Sequence, residues 1–77
     1  MTTMAELKPG DTAKILGFES GDRAYRQRLL AMGLTPNTTI KVIRKAPLGD
    51  PIQIEVRNFQ LSLRSDEARL LKIERMD

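Results

Sequence analysis

The chain contains no cysteine, no histidine and no tryptophan. Without cysteine there is no disulfide framework, no thiolate nucleophile and no thiolate metal site, and without histidine the commonest acid-base group and metal ligand is missing too. A metal site would have to be assembled from the ten carboxylates and backbone oxygens, which suit hard cations rather than firmly held iron or zinc. No arrangement along the chain does this, so neither a resident metal nor another cofactor is expected. One tyrosine and two phenylalanines are too few for the stacking platforms of single-strand and RNA binders. No apolar run approaches a membrane span, and Met1 to Glu6 lacks the charged start and apolar centre of a signal peptide, which leads to the expectation of a cytoplasmic protein. At 77 residues the chain reads as one small domain, 1–77, near the size at which a single core barely suffices.

What is present is a mild basic excess and a regular succession of short strand signals. Thirteen Lys and Arg against ten Asp and Glu leave a net charge of +3, which permits an acidic protein surface, a membrane surface or nucleic acid as neighbour and selects none of them. After a short lead-in and a turn at Lys8 to Asp11, residues Thr12 to Phe18 alternate loosely, with Ala13 and Ile15 on one side and Leu16 and Phe18 on the other. That pattern predicts a strand covered on both faces near one end. Asp22 to Met32 reads as a helix: Asp22 can cap it, Tyr25, Leu29 and Met32 recur at the spacing of a buried stripe, and Gly33 is placed to end it. At 100° per residue Leu30 lies off that stripe, on the side of Arg23 and Arg26.

Thr35-Pro36-Asn37-Thr38 is a turn signal, with proline at the second position and asparagine, which tolerates left-handed geometry, at the third. Thr39 to Lys45 then predicts a strand, and Ile52, Ile54 and Val56 alternate with Gln53, Glu55 and Arg57 in its partner. A turn centred on Asn58 leads to a strand at Leu61 and Leu63 that ends at Arg64. Ser65 to Ala68 opens like a capped helical turn, and Leu71 and Ile73 supply a last short strand before a charged tail. Five short strands and a helix inserted between the first two predict a mainly β fold, a small barrel or rolled sheet that conceals its edges, with the helix stripe facing the interior.

The segment joining the two clearest strands has the least ordinary composition. In Lys45-Ala46-Pro47-Leu48-Gly49-Asp50-Pro51 both prolines lack a donor and cannot sit in a central ladder, while Gly49 accepts positive φ without steric cost. This is a shaped loop with an apolar residue, Leu48, at its tip. Neither Glu19-Ser20-Gly21-Asp22 nor Pro47-Leu48-Gly49-Asp50 matches a phosphate loop, and the Asp in each would repel phosphate. Asp50 is expected to accept a hydrogen bond within its own turn. Lys41, Arg44 and Lys45 read as a solvated strand edge, and Arg23, Arg26 and Arg28 as solvated helix cations, with action in trans on the triphosphate of a GTPase as the sharper alternative.

Three blocks carry a resemblance. Tyr25-Arg26-Gln27-Arg28-Leu29-Leu30-Ala31-Met32-Gly33-Leu34, then Ala46-Pro47-Leu48-Gly49-Asp50-Pro51-Ile52, then Leu61-Ser62-Leu63-Arg64 with Glu67-Ala68, resemble in order and spacing the bacterial ferrous iron transport protein A family, FeoA. Asn37 and Asn58 stand where that family often has glycine. The resemblance implies an SH3-like five-stranded barrel with an inserted helix, and a cytosolic accessory of the FeoB ferrous iron transporter that is not itself an enzyme. It further implies a partner in FeoB's cytosolic GTP-binding region and membrane association only through that partner. The surface expected to dock combines Pro47, Leu48, Gly49, Asp50 and Pro51 with Arg26 and Leu30, since an apolar anchor ringed by arginines is a common make-up of an interface hot spot. Self-association through the apolar loop tip is a further expectation. The alternative from the residues themselves is a small-barrel nucleic-acid binder, which the scarcity of aromatics disfavours.

Overall fold

A computed structural model describes residues 3–21 and 23–76. The cap expected of Asp22 lies outside the described residues. A single 3-10 turn at Met4–Glu6 precedes strand β1, Thr12–Phe18, which is followed by helix α1, Arg23–Ala31. Then come β2, Thr39–Lys45, β3, Ile52–Val56, and β4, Phe59–Leu63. A four-residue helix α2, Ser65–Ala68, and strand β5, Leu71–Met76, complete the order. The strands form one antiparallel sheet ordered β4-β3-β2-β1-β5. The expected mainly β fold with a helix inserted between the first two strands is therefore the observed one.

Local chemistry places the breaks. α1 ends because Gly33 takes φ +91°, a conformation that costs a residue with a Cβ far more than glycine. Gly33 donates its N–H to the Leu30 carbonyl and Leu34 to the Leu29 carbonyl, each at 3.0 Å, which satisfies two carbonyls that the helix end would otherwise orphan. Asn37 at φ 74° supplies the left-handed residue of the turn closed by Thr38 N–H on the Thr35 carbonyl. Between β3 and β4 both Arg57 (φ 50°) and Asn58 (φ 72°) are left-handed, the geometry of a two-residue hairpin whose twist matches its strands.

Two register shifts change which face a residue occupies, and alternation alone did not reveal them. One lies between Ile15 and Gly17, opposite Ile73 and Lys72 of β5. Leu16 is left exposed, while Phe18 comes to lie opposite buried Leu71 and packs against the core. Strand β1 is thus bulged rather than covered on both faces, because an extra residue re-aims everything after it. The second shift lies between Val42 and Arg44 and sets Lys45 opposite buried Ile52. Strand β2 is also the middle strand of the sheet, so its basic end does not guard an edge as expected. The final strand extends through the charged segment to Met76, because Lys72, Glu74 and Met76 alternate outward while pairing with β1 continues.

The core is one apolar cluster in which Ala13, Ile15, Ile40, Val42, Ile52, Ile54, Val56, Leu63, Leu71 and Ile73 come from the sheet and Leu29 and Leu34 from the helix and its exit. Met32 packs against it and Tyr25 is half-buried, so the expected stripe does face inward. Met4 and Leu7, read only as lead-in, are 2% and 0% exposed and belong to the same cluster.

Candidate functional site

The Pro47 to Pro51 loop is held by two short backbone bonds. Gly49 N–H reaches the Ala46 carbonyl at 2.7 Å, and Ala46 N–H the Pro51 carbonyl at 3.0 Å. Gly49 sits at φ +83° and the Asp50–Pro51 peptide is cis. With Pro47 and Pro51 lacking N–H groups and those of Ala46 and Gly49 in use, Asp50 bonds outside its own turn. Its carboxylate accepts from the Ser65 backbone N–H at 3.0 Å and the Ser65 hydroxyl at 3.3 Å. The expectation of a bond within the turn is corrected accordingly: Asp50 fastens the loop to the start of α2, where helical N–H groups lack intrahelical partners. The same start of α2 is completed by Glu67, 7% exposed, whose carboxylate reaches back to accept from Arg64 N–H at 3.0 Å and also accepts from the Arg28 guanidinium at 3.4 Å. Replacing Asp50 with Ala should lower the unfolding free energy by about 1 kcal/mol, the usual worth of a cap. The Ser65 amide resonance should move with it; an unchanged Ser65 amide would contradict the tether.

Fastening the loop to α2 creates an open groove of about 920 Å³ between the loop, the N-terminal turn, α2 and the start of β5. Met4, Ala5, Leu48, Ile52, Ala68 and Leu71 give it an apolar lining, and Lys45, Arg69 and Lys72 outnumber Glu19 and Asp50 among its charged groups. The β2 bulge has a use here: Lys45, turned to the inner face, donates to the Ala5 carbonyl at 2.8 Å and ties the N-terminal turn to the sheet. At the rim Leu48 is 96% exposed, the most exposed of the large apolar side chains among the described residues. Such a residue beside an apolar cleft gains from being covered, at roughly 25 cal/mol per Å² of apolar surface removed from water.

The other half of the expected surface lies elsewhere. Arg26 is exposed and Leu30 is 39% exposed on α1, but no described residue of α1 lines the groove. Arg28 is occupied structurally, paired with Glu67 and lying 5.8 Å from the centre of the Tyr25 ring. The outer face of the sheet sets Lys41 opposite Glu55 and Lys14 opposite Glu74, an alternation of sign rather than the basic stripe that tracks a phosphate backbone. No group of three or more potential metal ligands occurs among the described residues. Sequence reasoning missed Met4, Lys45, Ala68, Arg69 and Leu71 as parts of a site. The i, i+3 spacing of Met4 and Leu7 was the one local sign that the N-terminal segment is buried.

A family model described as FeoA domain matches residues 2–75. The chain is 37% identical over 71 residues to a protein of Porphyromonas gingivalis described as an Fe(2+) transport protein A/Fe(2+) transporter FeoB fusion. That stretch is 92% of this chain and only 8% of the length of the fusion. The solution structure of FeoA from Chlorobium tepidum superposes with a TM-score of 0.87 at 34% identity, over 99% of this chain and 71% of that one. A Stenotrophomonas maltophilia FeoA complexed with zinc, described as a prokaryotic SH3 domain protein, superposes with a TM-score of 0.81 at 22% identity, over 96% and 91% of the two chains. This last likeness concerns the fold, and it identifies the rolled five-stranded sheet as SH3-like.

Proposed function

The chain belongs to the FeoA family, and on that premise we propose that it is a cytosolic accessory of ferrous iron uptake, docking on the cytosolic region of an FeoB-type transporter and supporting or regulating its Fe2+ transport. The observation that carries the reading is the exposed Leu48 over an apolar groove in a family that has a member joined to the transporter. A domain within the same polypeptide meets its partner at a high effective concentration, whereas a separate chain has to supply all of that affinity from its own surface. Leu48 and the groove lining are the apolar anchor and pocket that such binding needs, with cationic Lys45, Arg69 and Lys72 around them. Iron transport and GTP hydrolysis belong to the partner, and this chain contributes a binding surface rather than catalysis.

The test is a residue-resolved NMR titration of the chain with the soluble cytosolic region of the transporter, with and without guanine nucleotide. Shifts should concentrate on Ala46 to Ile52 and on Met4, Ala68 and Leu71, and a nucleotide dependence would make the interaction regulatory. Shifts centred on Arg26 to Leu30 alone would move the site to α1. No shifts in either nucleotide state would overturn docking on that region.

A further inference from the structure

The two outer strands of the sheet are unlike each other. Along β5, Lys72, Glu74 and Arg75 supply charge, and charge on an edge strand discourages a second strand from pairing there. β4 reads Phe59-Gln60-Leu61-Ser62-Leu63, with no charge, no proline and an unbroken register against β3. Its hydrogen-bonding direction follows from its turn. With only Arg57 and Asn58 between them, Val56 and Phe59 form the hydrogen-bonded pair that closes the hairpin, and such pairs recur at every second residue. Leu61 and Leu63 therefore bond to Ile54 and Ile52, while the N–H and C=O groups of Gln60 and Ser62 point away from β3. None of those groups has a hydrogen-bond partner among the described residues, and both residues are exposed. On the inner face Leu63 is buried, Leu61 half-buried and Phe59 46% exposed, so the strand also has apolar surface left to cover.

We propose that β4 pairs antiparallel with β4 of a second copy of this chain, about a twofold axis through Leu61, joining two sheets edge to edge. In this register Gln60 of one copy lies opposite Ser62 of the other, and their N–H and C=O groups exchange hydrogen bonds on both sides of the axis. Leu61 meets Leu61, and Phe59 comes opposite Leu63. Polar residues face polar ones and apolar face apolar, with no like charges brought together. This self-complementarity is what selects a second copy, because a charged partner strand finds no charge on β4 to pair with. The contact is short, so the dimer is weak and forms with rising concentration.

Sedimentation velocity over a wide concentration range tests this on the whole chain. The wild type should show a sedimentation coefficient that rises with concentration. The double variant Gln60→Lys with Ser62→Lys should weaken self-association at least about tenfold, since lysines then crowd the axis. Gln60→Lys with Ser62→Glu should restore it, because each lysine then faces a glutamate in this register and in no other. Amide spectra of both variants check that the fold is kept. A mixed labelled and unlabelled sample should show an intermolecular contact between the Leu61 α-protons of the two copies. A wild type that stays monomeric throughout, or a dimer that persists in the double-lysine variant, would overturn the proposal. So would loss of transporter binding in that variant while the wild type remains monomeric, since the edge would then serve another chain.

Discussion

Leu48→Asp is expected to fold as the wild type does and to bind the cytosolic region of the transporter at least about thirtyfold more weakly, the loss that accompanies a hot-spot truncation of about 2 kcal/mol. The two halves of that result have separate causes. In the free chain Leu48 is 96% exposed, so almost no burial is lost, and surface changes of this kind usually stay within about 0.5 kcal/mol. In the complex the substitution removes apolar area and sets a carboxylate against a partner surface that must then desolvate it. Isothermal titration calorimetry reads the affinity and an amide spectrum checks the fold. Leu30→Asp, made in parallel, separates the two surfaces: a loss confined to it would place docking on α1, and wild-type affinity in both folded variants would sink the surface altogether.

The second large effect concerns Leu29, the next-door neighbour of Leu30 on the same helix. Leu29→Ala should destabilise the domain by about 2–5 kcal/mol, the cost of lost transfer free energy plus a cavity. At roughly 0.05–0.15 kcal/mol per residue, a chain of this length has about 4–12 kcal/mol in all. A large part of the fold's stability thus rests on one side chain that is 0% exposed and touches a cluster drawn from every strand. Leu30→Ala, at a position 39% exposed, should cost well under half as much. Urea unfolding of the two variants provides the comparison. Equal shifts in their midpoints would mean that the α1 stripe is not the part of the helix that holds it to the sheet.

The contrast between Leu29 and Leu30 was legible in the residues, because helical period separates neighbours by 100° and Tyr25, Leu29 and Met32 mark the inner side. So were the turns, where proline and asparagine carry their geometry with them, and the loop, where two prolines exclude a ladder. The bulges were not legible. Whether Leu16 or Ile43 is the extra residue depends on the strand opposite, and local alternation gives the same signal either way. The groove was hidden for a related reason. Its walls come from residues near 4, 48, 68 and 71, which only the closed sheet brings together. Asp50 was misassigned because its acceptor role depends on Ser65, fifteen residues further on. The resemblance marked the loop as important, while the packing beneath it had to be seen.

The pairing of β1 with β5 sets Thr12 beside Met76, so the outermost residues of the paired strands meet at the same end of the ladder. Tension applied at Thr12 and Met76 would therefore open this ladder one rung at a time, like a zip, instead of shearing all its bonds at once. Antiparallel bonds lie across the strands and share a load poorly in that direction. Strain carried between Thr12 and Met76 would thus be taken up at the ladder of β1 and β5, two of the strands that frame the core, and not at the β3–β4 hairpin with its uncharged edge.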